Sequence, residues 1–290
     1  MPADPPAVPA TAVDSRELVS FRNVTKKFGE GSKAKVALED VSFTVHDLPN
    51  KGELITIVGP SGCGKSTLLR IIASLTPHFP PTSGEVKIFG RQIEAAGSDR
   101  GLVDQKYSLL PHLTVLDNIA FGLKLKGASP AERRGCAQEW VKKVGLEGAE
   151  DKYPSELSGG MQQRVSIAAT LILQPKILLM DEPFGALDPR IRLRMQELLI
   201  QLWIEQKDTV FLVTHSVEEA VYLGDRVFLM ADKPGRLVEI LSVPRPEEPP
   251  ELARRKPWFI DFTQALLRRL EVEAPAATGR KPLNPEALKP

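Results

Sequence analysis

The 290-residue sequence has few cysteines, no long apolar run and almost no net charge, and each shortage excludes a class of protein. Two cysteines, Cys63 and Cys136, are too few for a disulfide framework and too isolated for a zinc site, which fits a reducing compartment. No apolar run approaches the roughly 18 residues that a membrane-spanning helix needs. A net charge of +1, without a long Lys/Arg run, argues against nucleic acid as the main partner.

Composition divides the chain into three parts. Residues 1–17 are rich in Pro and Ala and have neither a basic start nor an apolar core, so they predict a disordered arm and not a secretory signal. Residues 18–240 carry the patterns of a folded domain. Residues 241–290 predict an extension in which a Pro- and Glu-rich stretch, one helix over 258–271 and a Pro/Ala tail follow each other.

The middle part predicts an α/β fold. The predicted strands comprise residues 18–24, 37–45, 53–58, 176–180, 209–213 and 226–230. The predicted helices comprise residues 64–75, 189–206 and 217–223. The continuous apolar runs among the strands are typical of a mostly parallel sheet covered by helices on both faces. Between about residues 107 and 170 the pattern turns helical, which predicts a helical subdomain inserted into the sheet domain.

A glycine-rich loop follows the predicted strand 53–58 and opens a helix. The loop comprises Gly59, Pro60, Ser61, Gly62, Cys63, Gly64, Lys65, Ser66 and Thr67. It fits G-x-x-x-x-G-K-[ST], in which glycines let backbone N–H groups surround phosphates at a helix N-terminus. We expect Lys65 to reach the β- and γ-phosphates of a nucleotide, Ser66 to bind Mg²⁺ and Thr67 to contact the α-phosphate. A glycine-rich turn with a chance lysine is the alternative.

Two acids and a histidine follow other predicted strands. Asp181 and Glu182 come directly after the apolar run 177–180, and His215 comes just after 209–213. The carboxyl ends of parallel strands are where open α/β sheets bind ligands. Together with the phosphate loop, Asp181 is predicted to hold Mg²⁺ and Glu182 to act as the base for an attacking water. For a lone histidine, a structural role is as reasonable as a catalytic one.

The stretch L-S-G-G-M-Q-Q-R, residues 157–164, has the features of an anion site without a base or a metal ligand. Ser158 is a candidate N-cap, and Gly159 and Gly160 leave backbone N–H groups open. This is half a site, and the other half is residues 59–67 with the two acids. Since each half occurs once, two chains facing head to tail could bury two nucleotides between them.

In this order, the motifs resemble the ATP-binding cassette family, the ATPase subunits of membrane transporters, over roughly residues 18–240. Residues 59–67 resemble its Walker A motif, 176–183 its Walker B motif and 157–164 its signature motif. The resemblance implies a P-loop NTPase sheet core with an inserted helical subdomain. It also implies ATP and Mg²⁺ as cofactors and ATP hydrolysis as the reaction.

The resemblance assigns four further residues. Gln105 matches the glutamine loop, which contacts Mg²⁺ and the attacking water and senses the membrane subunit. His215 matches the switch histidine on the γ-phosphate, which favours a catalytic role. Asp188, in the segment 186–188, matches the loop that acts across the dimer. Phe28 falls where the family places an aromatic ring against adenine, and a buried core phenylalanine is the alternative.

Within the family, residues 109–122 and 181–189 look most like the ATPases that import nitrate, sulfonate and taurine. The implied function is powering the import of such a small anion. The implied partners are the transporter's membrane (permease) subunits, a second copy of the ATPase and, indirectly, a solute-binding protein. The implied location is peripheral, on the cytoplasmic face of the inner membrane, and no nucleic acid is expected as a partner.

Some residues depart from this group. Asp104 stands where an aromatic residue is usual, and residues 46–50 and 76–81 are extra, so we expect them to lengthen surface turns. Cys63 lies beside a helix N-terminus, which predicts a lowered thiol pKa and a block of ATP binding by a bulky thiol reagent. The alternative is that Cys63 is a small residue that merely fits the loop.

Three alternatives stay open from the sequence. The first is a soluble cassette ATPase acting on a nucleic acid or a protein assembly, although a second cassette or a basic insertion is not seen. The second is a P-loop kinase or GTPase, in which the stretch 157–164 would have no use. The third is a regulatory binding module, against which Glu182 and His215 argue.

Overall fold

The computed structural model describes residues 17–31, 34–48, 51–106, 108–232, 234–246 and 248–273. Apart from Glu17, the predicted N-terminal arm lies outside these residues, as does most of the predicted Pro/Ala tail. Glu17 was predicted to belong to the arm, but it begins the first strand because its backbone pairs with that of His46.

A six-stranded sheet forms the centre of the fold. Its strands are β3 (Leu54–Val58), β6 (Arg100–Val103), β7 (Ile177–Asp181), β8 (Thr209–Val213), β9 (Arg226–Ala231) and β10 (Arg236–Ser242). The order is β10-β9-β3-β8-β7-β6, and every neighbouring pair except β10–β9 is parallel. Every residue of β3, β7 and β8 is buried, as expected for strands that are covered on both faces. The predicted mostly parallel sheet is confirmed.

A second sheet is antiparallel and was not predicted as a separate layer. Its strands are β1 (Glu17–Phe28), β2 (Lys35–His46), β4 (Ser83–Ile88) and β5 (Arg91–Gln92), in the order β2-β1-β4-β5. The inner faces of β1, β2 and β4 share one apolar cluster with helix α1 (Lys65–Ile72) and strand β3. This sheet therefore lies against the helix that follows the glycine-rich loop.

The remaining helices cover the central sheet or lie in the region predicted to be helical. They are α2 (Val115–Leu125), α3 (Pro130–Lys143), α4 (Gly159–Leu171), α5 (Pro189–Gln206), α6 (Val217–Leu223), α7 (Pro250–Ala253) and α8 (Pro257–Glu273). Helices α2, α3 and α4 contact one another, and they are joined through a short 3₁₀ turn at Pro154–Glu156. The bounds of α5 and α6 agree with the predicted helices 189–206 and 217–223. Within the described part of the chain, no helix has both the length and the apolar character needed to span a bilayer.

Sheet order places the predicted motifs beside one another. Strands β7, β8 and β3 are consecutive neighbours and run parallel, so their carboxyl ends lie at one edge. The glycine-rich loop leaves β3, Asp181 ends β7, and Thr214 follows β8. Residues distant in the sequence therefore meet at the edge where open α/β sheets bind ligands.

Candidate active site

The glycine-rich loop is shaped by two glycines in a conformation that other residues rarely adopt. Gly62 and Gly64 have φ values of 85° and 90°. A Cβ atom on Gly64 would lie 2.6 Å from the carbonyl oxygen of Ala37, so this turn also packs tightly against β2. Helix α1 begins at Lys65 directly after this turn, with its unpaired N–H groups facing the loop.

Lys65 is held inside the curve of the loop. Its Nζ donates hydrogen bonds to the carbonyl oxygens of Gly59 and Pro60, at 2.8 and 2.9 Å. The residue is only 4% exposed. Its charge is therefore fixed at the wall of the neighbouring pocket, where an anionic phosphate would gain most from it.

A pocket of about 280 Å³ opens in front of the loop. It is lined by Phe28, Lys35, Ala37, Ser61, Gly62, Gly64, Lys65, Ser66, Thr67, Glu182 and His215. Gly59, Pro60 and Cys63 shape the loop from behind and do not line the pocket. The pocket thus combines the loop, the edge of the central sheet and the two long strands of the antiparallel sheet.

Asp181 lies within hydrogen-bonding distance of Ser66, so two of the three predicted metal ligands meet, whereas the third, Gln105, contacts Glu182. The hydroxyl of Ser66 donates to Asp181 Oδ1 at 2.8 Å, and Arg70 lies 3.5 Å from Asp181 Oδ2. Burial raises the pKa of Asp181, and the charges of Asp104 and Glu182 add to this, whereas Ser66 and Arg70 act in the opposite direction. A hydroxyl and a carboxylate are the oxygen donors that Mg²⁺ prefers, and the excess of acids favours a cation here.

Glu182 brings the other predicted catalytic residues together. Its Oε2 accepts a hydrogen bond from Gln105 Nε2 at 3.2 Å, and its Oε1 is in direct contact with His215 Nε2. Its backbone is left-handed, with a φ of 50°, and its N–H donates to the carbonyl of Val213 at 3.0 Å. Strained conformations of this kind concentrate at functional sites, where the surrounding structure enforces them.

Phe28 is half-buried and forms one wall of the pocket, supported by the extra residues 76–81. The His78 ring packs edge-on against Phe28 at 5.3 Å, and Lys26 Nζ lies 5.3 Å from the Phe28 ring centre. Lys26 is 8% exposed and donates to the carbonyl of Pro80 at 2.8 Å. Residues 76–81 form a partly exposed loop between α1 and β4, as expected for a lengthened surface turn, and this loop also brings His78 against Phe28.

The signature serine and Asp188 do not line this pocket. Both are exposed N-caps: Ser158 accepts from Met161 N at 3.3 Å to begin α4, and Asp188 accepts from the first N–H groups of α5. Gly159 and Gly160 form the first residues of α4. The structure therefore places this half of the site on a different surface of the same chain.

The predicted low pKa of Cys63 is wrong. Cys63 is fully buried, and burial raises the pKa of its thiol, outweighing the opposing effect of Lys65 nearby. The helix N-terminus acts on a group that is removed from water, where the thiolate loses its hydration. The basis for expecting a reactive thiol at this position is therefore absent.

Two residues of the site were missed from the sequence. Lys35 lines the pocket from β2, and Arg70 lies 3.5 Å from both Asp104 and Asp181. Neither belongs to a local motif, and Arg70 lies against acids that are far away along the chain. The only sequence signal for Arg70 is its place on α1, the helix that follows the phosphate loop.

A phosphate loop, a strand-end acid pair and a histidine on a parallel sheet together define a P-loop nucleoside triphosphatase. A family model described as ABC transporter matches residues 38–185, and the chain belongs to this family. It is the ATP-binding subunit of an ABC transporter and hydrolyses ATP. This excludes the kinase, GTPase and purely regulatory alternatives.

Three relatives are import ATPases by name. The nitrate import ATP-binding protein of Synechocystis is 44% identical over 82% of this chain and 90% of its own length. The aliphatic sulfonates import ATP-binding protein of Bacillus licheniformis is 43% identical, over 87% of this chain and 94% of its own length. The taurine import ATP-binding protein of Escherichia coli is 47% identical, over 72% of this chain and 79% of its own length.

A solved structure shows the same fold. It is a dimeric ATP-binding cassette in a post-hydrolysis state with bound ADP and Pi, 35% identical to this chain, with a TM-score of 0.68. The match covers 78% of this chain and 99% of the other. The predicted ABC ATPase architecture is confirmed.

Proposed function

We propose that this chain drives the import of a small anion such as nitrate, a sulfonate or taurine, from a peripheral position on the cytoplasmic face of the inner membrane. The names of the three relatives support the solute class and the direction. One geometric observation carries the role in hydrolysis: Glu182 lies at the phosphate loop and is contacted by both Gln105 and His215.

The nucleotide is held by residues 59–67, and Phe28 stacks on the adenine. Ser66, Asp181 and Gln105 would hold Mg²⁺, which would supply positive charge to neutralise the phosphates. Glu182 removes a proton from the attacking water. His215 donates a hydrogen bond to the γ-phosphate and, through its contact with Glu182, fixes the direction of the base.

A second copy of the chain completes each site. Ser158 is an exposed N-cap at the start of α4, followed by the partly buried Gly159 and the buried Gly160, and this helix N-terminus suits the γ-phosphate of an ATP held by the other copy. Asp188 lies at an exposed helix start as well and contacts the partner across the interface. Two ATP molecules are buried in a head-to-tail dimer, and hydrolysis opens it.

The permease subunits bind near Gln105 and the segment 109–121, and a solute-binding protein delivers the anion from outside. Closure of the dimer moves this surface and so drives the permease. No nucleic acid takes part. Gln105 connects ATP hydrolysis with permease binding, because it contacts Glu182 and precedes the segment 109–121 in the chain.

Replacing Glu182 by Gln tests the chemistry. We expect ATP hydrolysis to fall about 100-fold or more, because the amide cannot accept the proton of the water. ATP binding persists, and size-exclusion chromatography with ATP and Mg²⁺ shows a stable dimer. Normal turnover, or a variant that stays monomeric with saturating ATP, contradicts the proposed mechanism.

Co-purification tests the transport function. The tagged chain is recovered from gently solubilised membranes, and bound proteins are identified by mass spectrometry. A stoichiometric multi-span membrane protein is the expected result, and its binding protein then identifies the solute. Recovery with soluble or nucleic-acid partners alone, with normal ATPase activity, contradicts the proposed import function.

A further inference from the structure

A buried polar network lies behind His215, on the side away from the phosphate loop. Glu219 of α6 is 4% exposed, Thr214 is 3% exposed and Gln196 of α5 is fully buried. Gln196 Nε2 donates to Glu219 Oε1 at 2.7 Å, and the Thr214 hydroxyl donates to Glu219 Oε2. One carboxylate thus connects α5 with the segment that carries His215.

The network holds the backbone on both sides of His215. On one side is Thr214 itself, whose hydroxyl also accepts from Ser216 N–H at 3.0 Å. On the other side, Ser216 caps α6 by accepting from Glu219 N–H at 3.2 Å. The exposed His215 ring therefore extends from a short segment that Glu219 holds through its neighbours.

The same network reaches the surface proposed for the dimer. Gln196 lies two turns along α5 from the N-cap Asp188. One turn before Gln196, Arg192 donates to the carbonyl of Leu187 at 3.0 Å, which fixes the start of the helix. Arg192, Glu219, His215 and Gln105 line one cavity of about 240 Å³, so the start of α5 and the catalytic residues border the same space.

We propose that Glu219 is a positioning residue for ATP hydrolysis, which sets His215 against Glu182 and transmits the position of the α5 N-terminus to it. The inference rests on the proposed function, because it needs His215 and Glu182 in their proposed roles. Docking of a second copy at Asp188 then aligns the histidine with the base through α5, Gln196, Glu219 and Thr214.

The burial of Glu219 favours one well-defined set of hydrogen bonds in this network. Burial raises the pKa of Glu219, and the hydrogen bonds from Thr214 and Gln196 and the charges of Arg192 and Arg254 act against this rise. A buried carboxyl group that loses a partner keeps the full desolvation penalty, so the network resists partial disruption. Movement of one member therefore displaces the others.

Paired substitutions separate positioning from packing. Thr214→Val removes the hydroxyl and keeps the shape, whereas Thr214→Ser keeps the hydroxyl. Glu219→Leu removes both hydrogen bonds, whereas Glu219→Gln keeps the size and can both accept and donate. Combining Gln196→Glu with Glu219→Gln exchanges the amide and the acid. Glu218→Gln, at an exposed position of the same helix, is the control.

We expect Thr214→Val and Glu219→Leu to lower kcat about 10- to 100-fold, as a small misplacement of a catalytic group does. The KM for ATP and the Kd for a non-hydrolysed ATP analogue change much less than kcat, because residues 59–67, which make most of the proposed nucleotide contacts, are untouched. Thr214→Ser, Glu219→Gln, the exchanged pair and Glu218→Gln retain most of the rate. If Thr214→Val folds and keeps its kcat, the inference is wrong.

A spectroscopic readout reports on the histidine itself. The protein has four histidines, so ¹⁵N-histidine labelling gives few ring signals, and His215→Gln assigns one of them. We expect Thr214→Val to shift the His215 signals and to leave those of His46, His78 and His112 in place. An unchanged His215 signal, or a Thr214→Val protein that loses ATP binding and thermal stability together, points to packing only and overturns the inference.

The two proposals fail in different ways. If Glu182→Gln and His215→Ala leave turnover intact, the proposed roles are wrong whatever Thr214→Val does. If both abolish turnover while Thr214→Val and Glu219→Leu hydrolyse ATP at the normal rate, only the positioning role fails.

Discussion

At the scale of single residues, the wall of the nucleotide pocket depends on a side chain that no motif contains. His78 packs edge-on against Phe28, and its segment is anchored by Lys26 through the carbonyl of Pro80. Burial lowers the pKa of His78, and the positive charges of Arg70 and Lys26 add to the effect, so the ring is neutral at pH 7. A neutral ring can support Phe28 without repelling a nucleotide's Mg²⁺.

Replacing His78 by Ala should therefore weaken ATP binding without slowing the chemistry. An aromatic pair contributes about 1 kcal/mol, which corresponds to a rise of about 5-fold in the KM for ATP. The kcat should stay near the normal value, because Glu182 and His215 do not contact this ring. Steady-state hydrolysis checks this, with His46→Ala at an exposed position as the control. A fall in kcat at unchanged KM would contradict a supporting role.

Residues whose function follows from their immediate neighbours were predictable. Lys65 and Ser66 belong to a local pattern, and Asp181 and Glu182 follow a recognisable strand, so their meeting could be expected. The pKa of Cys63 was not predictable, since burial by distant strands outweighs the local helix end. For the same reason the contacts of Arg70 could not be predicted.

At the scale of elements, the strands with continuous apolar runs and the long strands β1 and β2 were predicted, whereas the short or exposed strands β4, β5, β6 and β10 were missed. The runs that form β3, β7 and β8 are continuous and apolar, which distinguishes them from loops. Strand β4, with the sequence SGEVKI, and the edge strand β10 expose much of their length and lack such runs. Pairing of β1 with β4 joins residues far apart in sequence, so the antiparallel sheet could not be read from local pattern.

The junction between α5 and β8 contains a buried acid that weakens the fold at neutral pH. Burial raises the pKa of Asp208 from 3.8 to about 6, against the opposing charge of Lys176. The unfolded chain loses this proton near pH 4 and the folded chain only near pH 6. Stability from this group therefore falls as the pH rises between these values, and the loss is complete above them.

We expect Asp208→Asn to remove this penalty. The free energy of unfolding should rise by about 1 to 2 kcal/mol at pH 7.5, with little change near pH 4. Urea unfolding of both proteins at the two pH values measures the difference. Asp261→Asn, on the exposed face of α8, serves as the control and should show no such dependence on pH. An equal effect at both pH values would mean that charge burial is not the cause.

At the scale of the whole molecule, the sheet order explains why the pocket gathers only some of the predicted site residues. The ends of β3, β7 and β8 gather the phosphate loop, the acids and His215 at one edge. Ser158 begins a helix of the separate helical region, and Asp188 begins α5, so both face outward away from that pocket. In the proposed head-to-tail dimer, this separation would give two equivalent composite sites.

Two inactive variants should therefore restore activity when they are mixed. Lys65→Met removes the phosphate-binding charge. Ser158→Asp keeps the N-cap of α4 but places a negative charge against the γ-phosphate of the other copy, whereas the control Ser158→Asn caps the helix without charge. Each variant alone damages both sites of its dimer, but a mixed dimer pairs an intact loop with an intact Ser158 in one site.

Random pairing makes half of the dimers mixed, so an equal mixture should reach about a quarter of the normal hydrolysis rate per chain if the sites act independently. When the proteins are dilute, the rate should depend on the product of the two variants' concentrations, because one chain of each variant must meet. Measurement of phosphate release across mixing ratios tests this. A mixture that is no faster than its components would have two explanations: each site is contained within one chain, or hydrolysis needs both sites of the dimer to be intact. The activity of Ser158→Asp alone separates them, because a site contained within one chain would keep its activity in this variant.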